Sequence, residues 1–189
     1  MSEIVEDQIF ENLSFAEQQI KENVYENCTF SKCDFSNAKL ISCQFIDCFF
    51  VDCNLSMTDF NLSTLNNVEF TNSKVLGVKF NHCSDFIFEV TFLSCILDYS
   101  SFEKRKMRQT RFKDSSLKGV DFLQADLFQS SYINCNLEDA VFYHTNLQEV
   151  DFTSSFNYHI DLDENNIKKA RFSKDGLLGL LSKYNIIIE

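Results

Sequence analysis

The chain has 189 residues, 44% of them hydrophobic, and it carries 28 acidic against 17 basic side chains for a formal net charge of −11. This length is sufficient for a domain with its own core, which excludes a miniprotein held together by disulfides or metal ions. No apolar run reaches the roughly eighteen residues of a membrane-spanning helix, and the acidic N-terminal segment is unlike a secretory signal, so we expect a cytoplasmic protein without a membrane partner.

Three residue types occur at unusual frequency, because the chain has 21 Phe, no Pro and only 4 Gly. Proline lacks an N–H group, so its absence suits a backbone whose amides are almost all used in β-ladders. The scarcity of glycine argues against a glycine-rich phosphate-binding loop.

A five-residue period begins at Phe10 and runs without exception to Phe80, with a large apolar residue at every fifth position. The period resumes two residues out of step at Ile87 and continues to Phe152, so we expect a register slip at about residues 81–86. The residue two places before each large one is almost always small. A period of five fits neither an α-helix nor a continuous strand, and it predicts a β-solenoid with short sides.

Repeated strings such as Cys53-Asn54-Leu55 and Ala125-Asp126-Leu127 resemble those of the pentapeptide-repeat proteins. The resemblance implies an all-β fold, namely a right-handed quadrilateral β-helix with four pentapeptides to a coil and about eight coils. We therefore expect a solenoid over residues 1–172 and a C-terminal capping or dimerisation segment over residues 173–189.

The strings that begin at Cys28, Cys43 and Cys53 are most similar to the Qnr-type quinolone-resistance proteins within that family. This resemblance implies a non-enzymatic homodimer that mimics duplex DNA and binds a type II topoisomerase, DNA gyrase or topoisomerase IV. Qnr-type proteins commonly carry two long projecting loops, which this chain lacks, so quinolone protection is a weaker expectation than topoisomerase binding. The alternative is a structural or protein-interaction scaffold with an unrelated partner.

Residues 104–118 form a basic stretch, which we expect to balance acids on adjacent coils or to contact a partner. Direct binding of nucleic acid is not expected, because the surrounding field is negative. Arg105 occupies a small, inward position of the repeat, where an unpaired charge is not tolerated. The pattern therefore predicts a bulge that turns Arg105 out to solvent.

Residues 119–163 contain eight carboxylates and no Lys or Arg. Wound into coils, this run would project repeated negative charge along the solenoid, as a mimic of duplex DNA requires. We expect a partner-binding acidic surface made of Asp121, Asp126, Glu138, Asp139, Glu149, Asp151, Asp161 and Asp163. A surface that serves only solubility is the alternative.

The segment from Ser173 to Tyr184 predicts a helix with Ser173 as its N-cap, followed by a short strand over residues 186–188. A solenoid end exposes unpaired backbone and core, so it needs a cap. The apolar residues here exceed what a cap requires, and we expect a dimer interface made of Leu177, Leu178, Leu180, Leu181, Tyr184, Ile186, Ile187 and Ile188. A cap without dimerisation is the alternative.

Seven of the eight cysteines occupy the small positions that the repeat buries. We expect free thiols packed in the core, with zinc binding or redox chemistry as less favoured alternatives. The three histidines are scattered, and none has a Ser or Cys partner at a recognisable catalytic spacing. The sequence therefore predicts no catalytic residue, no metal site and no cofactor.

Overall fold

The backbone winds as a four-sided coil in which each turn stacks directly on the turn before it. The computed structural model describes residues 3–184 and 186–187. The sides are called A, B, C and D, and in the second coil they are centred on Tyr25, Phe30, Phe35 and Leu40. Successive coils pair in parallel and in register, so that Tyr25 lies opposite Phe45. The predicted all-β quadrilateral solenoid is confirmed.

Short strands form the sides of the coils, and isolated parallel bridges continue the pairing between them. Within the described residues the strands are β1 (Ile4–Glu6), β2 (Ile9–Glu11), β3 (Gln19–Lys21), β4 (Val24–Glu26), β5 (Thr29–Ser31), β6 (Lys39–Ile41), β7 (Gln44–Ile46), β8 (Phe49–Val51), β9 (Thr64–Thr71), β10 (Phe88–Leu93), β11 (Arg111–Lys113) and β12 (Ser131–Ile133). The helix α1 (Leu177–Leu181) follows, and 3₁₀ turns occur at Phe80–His82 and Ser182–Tyr184. In this part of the chain no helix is long and apolar enough to cross a membrane.

Corner residues adopt left-handed backbone, with φ between 49° and 62° where the corner is not glycine. This region disfavours most L-residues, although Asn and Asp tolerate it. The corner N–H donates to a carbonyl of the next coil, as from Asn27 to Ile46 at 2.9 Å, which offsets the cost. At Gly77 an added Cβ would lie 2.5 Å from the sulfur of the exposed Met57 side chain, which would have to move to accommodate it.

Aromatic rings stack along side B for the whole length of the solenoid. Successive rings are nearly parallel, with centroids 4.8–5.4 Å apart, in the order Phe10, Phe30, Phe50, Phe70, Phe92, Phe112, Tyr132, Phe152 and Phe172. A second ladder on side D, from Phe60 to Phe142, meets these rings edge to face. Burial of the rings and their favourable geometry make the interior one continuous apolar column.

The register slip places a different residue in the core from the one that the period predicted. Phe88 lies opposite Leu65 and is buried, whereas Ile87 is only half-buried. The pairing of β10 with β9 shifts between Phe88 and Val90, so the insertion ends in a bulge and not in a clean restart of the period at Ile87.

The C-terminal helix is shorter than predicted, because α1 begins at Leu177. Ser173 instead accepts a hydrogen bond from the Gly176 N–H at 3.1 Å, in the turn that brings the chain back over the last coil. The predicted terminal strand is wrong for Ile186 and Ile187, which have irregular backbone, and Ile188 lies outside the described residues.

Glycine allows α1 to lie directly on the last coil. A Cβ at Gly179 would lie 1.9 Å from the Tyr158 carbonyl oxygen, and the Ile160 N–H donates to the Gly179 carbonyl at 3.2 Å. Leu180 is buried there. The helix therefore covers the end of the apolar column.

We expect Tyr132→Phe to stabilise the protein. The Tyr132 hydroxyl is buried within the side B ladder and has no hydrogen-bond partner among the described residues. Because an unsatisfied buried hydroxyl is costly, its removal is expected to raise the free energy of unfolding in urea by about 1–2 kcal/mol.

Tyr25→Phe is the matched control, since the Tyr25 hydroxyl accepts a hydrogen bond from the Asn23 amide at 3.3 Å. We expect no gain in stability from that change. A loss of stability in Tyr132→Phe would contradict the description of its hydroxyl as unsatisfied.

Candidate functional site

The carboxylates of residues 119–163 lie on the solenoid surface, but most of them are ion-paired. Six of the eight contact a cation: Asp126 with Arg108 at 2.6 Å, Glu138 with Lys118 at 2.8 Å, Glu149 with Lys169 at 3.5 Å, Asp151 with Arg171 at 2.9 Å, and Asp161 and Asp163 with Lys183. Among the described residues, Asp121 and Asp139 have no such partner. A run without cations in the sequence is therefore not free of cations in space, because stacking supplies them from neighbouring coils.

Two of these ion pairs lower the pKa of their carboxyl group. The Lys118 ammonium lowers the pKa of the Glu138 carboxyl through a direct hydrogen bond. Lys183 likewise lowers the pKa of Asp161. The pairs are exposed to solvent, so each contributes little to stability, but together they reduce the negative potential of this surface.

A second acidic surface lies on sides A and B of the first coils, and we call it the acidic zone. It consists of Glu6, Asp7, Glu11, Glu26, Asp47, Asp52 and Glu69. Lys32 is the one Lys or Arg on these two sides between residues 3 and 69, and its nitrogen lies 3.7 Å from Glu11. The other lysines of the first 103 residues, Lys21, Lys39, Lys74 and Lys79, lie on sides C and D.

Asparagine holds the corner carboxylates of the acidic zone in place. The Asn27 amide donates to Asp7 at 2.7 Å, and the Asn67 amide donates to Asp47 at 2.6 Å. Because Asp and Asn alternate from coil to coil, the corner charges are two coils apart, or about 10 Å. The net charge of −11 over residues 1–103 was the signal that could have identified this zone.

Arg105 is buried, so the prediction that it turns out to solvent is wrong. Its guanidinium donates to the carbonyls of Cys83 and Ser84 at 3.0 and 2.7 Å, and to the Asp85 carboxylate at 2.7 Å. It also lies over the Phe88 ring, 4.4 Å from the centroid. The two-residue insertion one coil earlier supplies the acceptors that a buried cation needs.

A groove of about 660 Å³ opens on side A where the insertion meets the following coil. It is lined by Asp85, Phe86, Ile87, Phe88, Glu89, Lys104, Arg105, Lys106 and Arg108. Basic residues outnumber acidic ones here, in contrast to the acidic zone on the same side. The structure thus brings together the insertion and the basic stretch, which are about twenty residues apart in the sequence.

The predicted dimer-interface residues divide into two groups. Leu180 is buried on the last coil and Leu181 is half-buried, so these two serve the cap. The other described members are exposed: Leu177, Leu178, Tyr184, Ile186 and Ile187. Ile188 lies outside the described residues. The cap therefore leaves an apolar surface uncovered.

All eight cysteines are free and buried. Burial raises the pKa of the Cys48 thiol to about 11 and that of Cys53 to about 12. Their sulfurs donate to backbone carbonyls, as from Cys53 to Phe30 at 3.2 Å. Such thiols are poor nucleophiles. Within the described residues, no group of three or more His, Cys, Asp and Glu side chains could hold a metal ion.

Comparisons with protein-family models and with solved structures both agree with the solenoid fold. A family model described as "Pentapeptide repeat region" matches residues 23–86, and one described as "Pentapeptide repeats (8 copies)" matches residues 95–131 and 124–155. No curated protein matches the chain in sequence.

Two structures of trypsin-treated variants of QnrB1, a plasmid-mediated fluoroquinolone resistance protein, superpose on the chain with TM-scores of 0.64 and 0.65. Each is 19% identical, and the matches cover 98% and 100% of this chain and 100% of each QnrB1 chain. HetL, a protein involved in heterocyst differentiation regulation in the cyanobacterium Nostoc sp. strain PCC 7120, is 14% identical with a TM-score of 0.43, over 91% of this chain and 90% of its own. The QnrB1 superpositions establish a shared fold and nothing finer.

We expect the buried thiols to make stability depend on pH. Burial raises the folded pKa values of Cys48 and Cys53, so the stability that these two thiols contribute is complete below the unfolded pKa and is lost as the pH rises toward the folded pKa. Urea denaturation should therefore show a free energy of unfolding that falls above about pH 9. The fall should be shallower in a Cys48→Ala, Cys53→Ala variant, and an unchanged pH dependence in that variant would contradict this attribution.

Proposed function

The chain belongs to the pentapeptide-repeat proteins, and on that premise we propose that it is a non-enzymatic binding protein that presents carboxylates to a basic, DNA-handling partner. A type II topoisomerase, DNA gyrase or topoisomerase IV, is the partner proposed. The interior is filled by stacked rings and small buried side chains, which suits a rigid surface for binding. The acidic zone, and not residues 119–163, is the proposed contact surface.

The observation that carries this proposal is the charge of the acidic zone, in which Glu11 is the one member with an ion-pair partner among the described residues. Glu6 lies directly opposite Glu26 on the next coil, and like charges in that position destabilise a sheet. Folding alone gains nothing from such a pair, whereas a basic partner would stabilise it. Rigid carboxylates at coil spacing along two adjacent sides would also offer repeated negative charge, as duplex DNA does.

Electrostatic complementarity would serve recognition by such a partner in two ways. An extended negative surface speeds the encounter with a basic surface and orients it. The asparagine-bonded corners would hold the carboxylates of Asp7 and Asp47 without reorganisation on binding. The fold is similar to that of a fluoroquinolone resistance protein, and this supports a topoisomerase as the proposed partner. The insertion in the repeat is short, which favours topoisomerase binding over protection from quinolones.

The exposed apolar residues of the C-terminal cap carry a second part of the proposal, a homodimer. Leu177 and Leu178 are exposed on α1 itself, and the exposed residues Tyr184, Ile186 and Ile187 follow it. Burial of this apolar surface against a second copy would contribute about 25 cal/mol for each Å² removed from water. A doubled rod would place two acidic zones at its outer ends.

A scaffold with an unrelated partner is the second candidate function. The ion pairs that neutralise residues 119–163 favour it, because a surface balanced in this way serves solubility and coil stacking. In that case the acidic zone would have no effect on a topoisomerase.

The first prediction concerns supercoiling by DNA gyrase titrated with this protein. We expect the wild type to inhibit supercoiling, and we expect this inhibition to weaken as the salt concentration rises. In a variant neutralised at four positions, the half-maximal inhibitory concentration should rise at least about tenfold. That variant carries Asp7→Asn, Asp47→Asn, Asp52→Asn and Glu69→Gln. The matched control removes the same charge elsewhere, through Asp121→Asn, Asp126→Asn, Glu138→Gln and Asp139→Asn.

The control variant should retain most of the inhibition, and both variants should keep the circular dichroism of the wild type. Equal loss in the two variants would show that only net charge matters. Wild-type protein without effect on supercoiling, relaxation or quinolone-induced cleavage would leave the scaffold as the function.

The second prediction concerns oligomeric state. The side chain of Leu178 is 60% exposed on the cap, and that of Leu62 is 61% exposed at a distant corner. We expect light scattering to report a dimer for the wild type and for Leu62→Asp, but a folded monomer for Leu178→Asp, since a buried unpaired charge would be costly. A wild type that is monomeric at tens of micromolar would restrict the C-terminal segment to capping.

A further inference from the structure

We infer that the groove beside the insertion is a binding site for a short acidic segment of a partner protein, one that carries an aromatic or aliphatic side chain beside its carboxylates. The groove lies between residues 85–89 of the insertion and residues 104–108 of the next coil. It is separate from the acidic zone, so the inference does not depend on the proposed function.

The groove lies where the ladder between two coils is interrupted. On side A of the following coil, the Asp126 N–H donates to the Arg105 carbonyl, and the Asp126 and Phe128 carbonyls accept from Met107 and Gln109. The equivalent groups one coil earlier are the Lys106 N–H and the carbonyls of Lys106 and Arg108. Within the described residues these three groups have no hydrogen-bond partner.

The cause of the interruption is the two-residue insertion. It displaces the chain at residues 85–87, so that Arg105 reaches the carbonyls of Cys83 and Ser84 with its side chain. The coils remain closely stacked on the neighbouring side D, where the ring centroids of Phe80 and Phe102 are 4.8 Å apart. The opening is therefore a groove confined to side A, and it exposes both backbone donors and backbone acceptors.

The charges in the groove favour a carboxylate ligand. Lys106 is exposed and has no ion-pair partner among the described residues, whereas Lys104 contacts Glu103 at 2.5 Å and Arg108 contacts Asp126 at 2.6 Å. Arg105 is only 3% exposed, and its Nε has no hydrogen-bond partner in that part of the chain. Its charge is paired with the Asp85 carboxylate at 2.7 Å, so among the described lining residues Lys106 is the cation available to a carboxylate ligand.

An apolar side chain of the ligand would have its own place in the groove. Phe86 is 84% exposed, and half-buried Ile87 lies next to it on the wall. Phe86 lies in the insertion and does not pack in the core, so its ring is available to contact a ligand. A volume of about 660 Å³ is within the range of ligand-binding pockets. A smaller groove of about 300 Å³ extends past Glu89 and Arg108 toward side B.

Two features favour a peptide over a nucleic acid or a free phosphate. Asp85 and Glu89 lie on the same lining as the cations, so the groove also offers acceptors for the amide N–H groups of a peptide, which a phosphate or a nucleic-acid backbone lacks. The open backbone of Lys106 and Arg108 presents a donor and acceptors together, which a peptide backbone satisfies in full and a phosphate does not. The site therefore suits a segment with carboxylates, amides and one apolar anchor.

The test uses the full-length protein and a fluorescein-labelled peptide, Asp-Glu-Phe-Asp-Glu, in fluorescence anisotropy. We expect Lys106→Glu to weaken binding at least about tenfold and Phe86→Ala about threefold, with little change on Lys39→Glu. Lys39 is the matched control, because it is an exposed lysine that precedes an inward residue in the same way, but on side D. The peptides Asn-Gln-Phe-Asn-Gln and Asp-Glu-Ala-Asp-Glu should each bind more weakly.

Amide chemical shifts locate the ligand independently. A nitrogen-proton correlation titration should move the amides of residues 85–89 and 104–110 and leave those of the acidic zone unchanged. The inference is overturned by no peptide binding at about millimolar concentration, or by equal weakening in Lys106→Glu and Lys39→Glu. It is also overturned if orthophosphate or a single-stranded oligonucleotide binds the groove more tightly than the peptide.

Discussion

Parallel, in-register stacking of coils about 4.8 Å apart is the constraint on which the rest of this protein depends. Each side chain lies against the residue one coil, or about twenty positions, before it. The residue at each position must therefore pack well against the residue stacked on it. Along side B this gives a ladder of rings from Phe10 to Phe172. At the corners it gives left-handed residues whose N–H groups donate to the next coil.

The same constraint arranges the surface charges. Like charges stacked at this spacing would repel one another, and most surface positions avoid this by placing Asn beside Asp or a cation beside an acid. Asn27 bonds to Asp7, and Arg108 pairs with Asp126 from one coil to the next. Residues 119–163 become nearly balanced in this way. In the acidic zone Glu6 instead lies opposite Glu26, which does not stabilise the solenoid. We therefore propose that this charge serves to bind a partner.

The insertion near residue 85 is the place where the regular ladder is broken, and Arg105 is its complement on the next coil. A buried arginine is costly unless acceptors satisfy its N–H groups. Here the displaced carbonyls of Cys83 and Ser84 accept them, and Phe88 covers the guanidinium. The insertion thus allows Arg105 to be buried on the next coil, and the groove on side A lies between the two.

The period, the division of residues between core and surface, the fold and the need for a C-terminal cap could all be predicted from the sequence, because they follow from residues a few positions apart. The sequence did not predict that Phe88 enters the core in place of Ile87, that Arg105 is buried, or that Lys118 and Arg171 pair with Glu138 and Asp151. The physical reason is that these outcomes depend on neighbours about twenty residues away. A two-residue slip changes which residues become such neighbours, and the slip itself is absorbed in a bulge that the five-residue period does not specify.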